Sequence, residues 1–91
     1  MIPTTEQTAA MLDAFQSGVL ALEQARAGER MAAERALVHL HTCLEFALQE
    51  QLPVVWREAT LALAEVYELR SIGDPAVNRQ RAAQCRRKAL R

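Results

Sequence analysis

Aromatic residues are scarce in this chain of 91 residues: Phe15, Phe46, Trp56 and Tyr67 make up 4% of it. Strands favour aromatic and β-branched side chains, so the shortage argues against a sheet. Cysteine is limited to Cys43 and Cys85. Two cysteines do not make a disulfide framework, which excludes the small disulfide-stapled class. No apolar run approaches the roughly 20 residues that a membrane-spanning helix needs. No secretory apolar region opens the sequence. A reduced, cytoplasmic protein with no membrane partner is therefore expected. Glycine and proline number 3 each, and no low-complexity linker interrupts the chain. Residues 1–91 are expected to form one small domain.

What the chain does have is alanine and leucine, the bulk of its 51% hydrophobic content. Both are strong helix formers. The pattern predicts an all-α fold of four helices, at about 4–27, 29–51, 53–71 and 75–90. Thr4 and Gln7 have capping-box spacing at the first helix. Met11, Phe15, Val19 and Leu22 form its apolar face, and Gly18 on the same side lets a neighbour approach closely. Gly28 suits the position just past its end. The second helix carries the stripe Ala33, Leu37, Leu40, Leu44, Ala47 and Leu48. Pro53 opens the third helix, because proline fits a first turn. Its core face is Val55, Ala59, Ala62, Leu63, Val66 and Leu69, with Trp56 and Tyr67 at the edge. Apolar residues on a second side predict a central, sandwiched element. The run Gly73-Asp74-Pro75 ends that helix and caps the next. The fourth helix has a thin apolar side, Ala76, Val77, Ala83 and Leu90, with Ala82, Cys85 and Ala89 beside it.

Charge is balanced in total and lopsided along the chain. Between Met1 and Asp74 eleven acidic residues face five arginines, leaving −6; from Pro75 onward Arg79, Arg81, Arg86, Arg87, Lys88 and Arg91 leave +6. Such asymmetry points to an electrostatic contact, within the chain or with a partner. The arginines also complement the C-terminal end of a helix dipole. Nucleic acid is the lesser alternative, since readers of it carry net positive charge over the domain and interleave aromatics for stacking.

The stretch "ALVHLHTCLEFA", residues 36–47, sets His39, His41 and Cys43 at every second position. On a helix each residue turns by about 100°, so the two histidines point apart. His39 and Cys43 share a face, but zinc takes at least three protein ligands. A phosphorelay histidine lacks its usual local pattern here. A catalytic cysteine needs an accessible electropositive pocket, and Cys43 sits on an apolar stripe. Glu29, Glu34, Glu45, Glu50, Glu58, Glu65 and Glu68 read as a solvated acidic surface, because no glutamate precedes either histidine by three residues as a di-iron bundle requires. No metal, cofactor or catalytic residue is expected.

Residues 43–90, "CLEFALQEQLPVVWREATLALAEVYELRSIGDPAVNRQRAAQCRRKAL", resemble tetratricopeptide-type helical repeats. Cys43-Leu44 and Ala89-Leu90 stand where that family places its paired small and large residues. "ATLALAEVY" resembles its helix core, Gly73-Asp74 its turn, and Ala82 with Ala89 its seven-residue small-residue spacing. The first half fits more loosely. The resemblance implies two antiparallel helical hairpins. At least three repeats normally make a stable array, so a chain with room for about two is expected to associate with itself or a partner.

The function expected from these features is a non-catalytic protein-interaction module: a small adaptor, chaperone or assembly factor. Small tetratricopeptide-like proteins that hold secretion-system subunits are one group it resembles. The alternative is a regulatory or nucleic-acid-binding protein using the arginine-rich last helix. Val38, Thr42 and Phe46 lie opposite the leucine stripe, and Val54 and Leu61 extend that apolar side. With Arg79, Arg86 and Arg87 they form the expected contact surface for a protein partner or a second copy.

Overall fold

The computed structural model describes residues 5–90, and within them the fold is all α-helix. Helices α1 (Thr5–Arg26), α2 (Ala32–Gln49), α3 (Pro53–Leu69) and α4 (Pro75–Ala89) follow one another through short turns. Helices α1 and α2 pack as one hairpin and α3 and α4 as a second. Helix α3 touches each of the other three, whereas α2 and α4 do not touch. The expectation that the third helix is central holds. The Thr4–Gln7 capping box lies outside the described residues.

Each turn has a local cause. Gly28 adopts φ +97°. Its N–H donates to the Ala25 carbonyl and the Glu29 N–H to that of Gln24, a Schellman closure of α1. The same closure ends α2 on a non-glycine: Gln51 has φ +56°. The Leu52 N–H donates to the Ala47 carbonyl at 2.9 Å and the Gln51 N–H to that of Leu48 at 3.3 Å. Asp74 caps α4, its Oδ1 accepting from the Ala76 N–H at 2.8 Å, and Pro75 takes the first helical position. Helix α2 begins three residues later than expected, because Glu29 to Met31 stay in the turn.

The core is built largely on small residues. Leu40, Leu63 and Val66 are its largest fully buried apolar side chains, packed with Ala33, Ala36, Cys43 and Ala59. Of the expected core, Leu40, Ala59, Leu63 and Val66 are buried, while Leu37 and Leu44 are only half-buried against the cluster. Leu48 and Leu69 of the expected stripes are exposed. The true core side of α2 is centred on Ala33, Ala36, Leu40, Cys43 and Ala47. Alanines admit the neighbouring backbones, and the longer leucines are turned to the flank. Helix α4 shows the same displacement. Its buried positions are Asn78, Ala82 and Ala89, while Ala76, Val77, Ala83 and Leu90 are exposed. Asn78 sits in the stripe because the turn needs it: its Nδ2 donates to the Ile72 carbonyl at 3.0 Å and its Oδ1 accepts from Arg70.

Ion pairs tie the helices together. Arg26 of α1 pairs with Glu65 of α3, its Nη2 donating to Oε1 at 2.6 Å. Arg70 donates to both carboxylate oxygens of Glu34 on α2, at 2.6 and 3.1 Å. Arg86 of α4 pairs with Glu68 of α3. The acidic surface read from the sequence is thus partly consumed in holding the hairpins together.

Candidate functional site

Since α2 and α4 both pack on α3 but not on each other, a cleft runs between them, with Thr60, Leu63 and Tyr67 buried at its base and Trp56 partly exposed. The result is a groove of about 1130 Å³. Trp56, Thr60, Leu63 and Tyr67 of α3 form its floor, spaced at four, three and four residues so that they share one side of the helix. Thr60 is buried and its hydroxyl is satisfied internally, donating to the Trp56 carbonyl at 2.7 Å. One wall is His41, Leu44, Glu45 and Leu48 of α2; the other is Val77, Gln80, Arg81, Gln84, Cys85, Lys88 and Ala89 of α4. At the α2–α3 turn the groove meets a second, apolar hollow of about 520 Å³ lined by Ala47, Leu48, Gln51, Leu52, Pro53 and Trp56.

The groove is apolar below and charged along its sides. Arg57, Arg81 and Lys88 line it against a single carboxylate, Glu45. None of the three cations makes an ion pair among the described residues. The Arg81 guanidinium instead lies over the Tyr67 ring, 5.9 Å from its centre, a cation–π contact. Cys85 is held as a thiol: burial raises its pKa, and the nearby charges of Lys88 and Arg86 offset only part of that. Burial likewise raises Cys43. Neither position favours the thiolate that nucleophilic chemistry needs.

The residues singled out from sequence lie elsewhere. None of Val38, Thr42, Phe46, Val54, Leu61, Arg79, Arg86 and Arg87 lines the groove. Val38 and Thr42 are exposed on α2, joined by a bond from the Thr42 hydroxyl to the Val38 carbonyl. Val54 borders a small cleft between α1 and α3, beside Met11, Leu12 and Phe15. Leu61 is 37% exposed. Arg79 and Arg87 are exposed, while Arg86 is engaged by Glu68. Phe46 requires a correction. It does not face away from the core but is half-buried against it. The groove residues had a readable signal in the four-three-four spacing of Trp56, Thr60, Leu63 and Tyr67. That spacing is easily absorbed into the core face one position away.

His39 is half-buried and His41 exposed at the groove, and Cys43 is a fully buried filler. Among the described residues no group of three or more His, Cys, Asp or Glu side chains is placed to hold a metal ion. No helix there is long and apolar enough to cross a membrane. No protein-family model, curated protein or solved structure matches this chain.

Proposed function

We propose that this chain is a non-catalytic protein-interaction module, an adaptor, chaperone or assembly factor of tetratricopeptide-like design, that receives a helical segment of a partner. The observation that carries the reading is the groove over α3, where Trp56 is partly exposed and Leu48 and Val77 stand accessible on either wall, between two helices that do not meet. A cleft with an apolar floor and charged sides is the shape that takes an amphipathic helix. Aromatic anchors in such clefts supply much of the binding energy. From Trp56 to Tyr67 the floor spans eleven residues, or about 16 Å, enough for three turns of a docked helix. A nucleic-acid role is less well supported, since Arg86 is held by Glu68 and no aromatic residue interleaves the arginines of α4 to stack on bases.

Leu48 lines the groove and is 64% exposed, so a charge there spares the core. Leu48→Glu should abolish capture of the partner that wild type retains in a pull-down, with an unchanged helical circular dichroism signal. Val38→Glu, on the outer side of α2, should leave capture intact. If Val38→Glu releases the partner and Leu48→Glu does not, the outer surface is the docking site and the groove is not.

A further inference from the structure

The charges beside the groove define its occupant more closely. Four arginines, Arg26, Arg35, Arg70 and Arg86, are paired with carboxylates. The cations that line the groove, Arg57, Arg81 and Lys88, have no carboxylate partner among the described residues, although the chain up to Asp74 is rich in acid. Arg30, Arg79 and Arg87 also lack a carboxylate partner there and lie outside the groove, but within it three cations are opposed by Glu45 alone. Resting on the reading of the groove as a helix-docking site, we infer that its partner segment is an acidic amphipathic helix. The apolar stripe of that helix lies on Leu48, Trp56 and Val77, the apolar side chains of the groove that remain accessible, and its glutamates or aspartates flank the stripe to meet Arg57, Arg81 and Lys88. One end of the helix places an apolar side chain in the hollow beside Leu52 and Pro53, which is continuous with the groove through Leu48, Pro53 and Trp56. Complementary charge of this kind selects among partners and speeds encounter. A basic helix of the same apolar pattern is excluded by like-charge contact with three cations.

The chain has one tryptophan, and it lies in the groove, so its emission reports occupancy. Two 18-residue synthetic peptides serve as probes. Both carry leucine at i, i+3, i+4 and i+7; the polar positions are glutamate in one and lysine in the other. The full chain should bind the glutamate peptide, shifting Trp56 emission, at least tenfold more tightly than the lysine peptide. Its affinity should fall as salt is raised. Arg57→Glu, Arg81→Glu and Lys88→Glu combined should reverse the order of the two peptides. Arg57→Gln alone, a milder change at an exposed position, should weaken the glutamate peptide and leave the lysine peptide unchanged or tighter. If both peptides shift Trp56 with equal affinity and no salt dependence, the groove docks helices without regard to charge and the acidic-partner assignment is wrong. If neither peptide shifts Trp56, the groove is not a docking site and both readings fall. A free chain that sediments as a dimer with Trp56 already shielded from quencher also overturns the assignment, making a second copy the occupant.

Discussion

Gly18 and Leu40 show how tightly single residues are fitted. A Cβ on Gly18 would lie 2.7 Å from the Leu40 side chain, and Leu40 is fully buried with nowhere to swing. Gly18→Ala should therefore destabilise the protein by about 1–3 kcal/mol, as overpacking does. Leu40→Ala should cost about 2–5 kcal/mol through the cavity it leaves. The two changes together should cost less than their sum, because the shortened side chain makes room for the new methyl. Urea unfolding of the two single variants and the double variant measures this; strict additivity would show that the two sites do not press on each other. Phe46→Asp, which an outward-facing ring would have tolerated, should instead lower the thermal midpoint, because the ring packs against the core. Asn78→Ala removes the donor to the Ile72 carbonyl and the acceptor for Arg70. Leaving these groups unsatisfied should cost about 1–3 kcal/mol, read by the same unfolding measurement.

At the scale of elements, turns and interhelical ion pairs decide how the helices are held. Gln51 holds the left-handed conformation that closes α2, a position where glycine carries no Cβ penalty. Gln51→Gly should raise stability by about 0.5–1 kcal/mol, the strain relieved exceeding the backbone entropy lost. A higher urea midpoint with an unchanged slope is the expected result. The Arg26–Glu65 pair joins α1 to α3, and the hydrogen bond from Arg26 holds the Glu65 carboxyl below its ordinary pKa. A carboxyl whose pKa is lowered by folding contributes stability above its unfolded value and loses it as pH falls through the folded one. Acidification below the ordinary carboxylate range should thus weaken the fold. Glu65→Gln should flatten that part of the pH–stability curve by a small amount, because the pair is half exposed. Helix α4 has no leucine on its buried side, and its attachment rests on Asn78, Ala82, Ala89 and the Arg86–Glu68 pair.

For the molecule as a whole, the arrangement is a slab of 40 × 27 × 16 Å. Four helices in such an array leave more helix face open than a closed bundle does, and the groove over α3 is one consequence. Much of this was legible in the sequence. Proline, glycine and the Asp74 cap mark the turns, because each acts through local backbone geometry. The four helices and the central place of α3 follow from propensity and periodicity. The exact burial side of α2 and α4 was less legible. An alanine contributes little to a hydrophobic pattern, yet it governs how closely two backbones approach, so stripes weighted by leucine came out rotated toward the flank.

Local chemistry along the chain settles which segments are helical, where they stop, and that Cys43 is a small filler, since each of these depends on residues within a turn or two. It also separates an acidic body from a basic last helix. Only the tertiary packing decided where those charges went. Arg86 was drawn into a pair with Glu68, while Arg81 and Lys88 joined Arg57 of the acidic body along the groove. The same packing set Phe46 against the core and left Trp56 of α3 partly exposed in the groove. The physical reason is that a helix has no inside or outside until its neighbours are placed. Here α2 and α4 settled on α3 without meeting, a distance between helices that no spacing along the chain encodes.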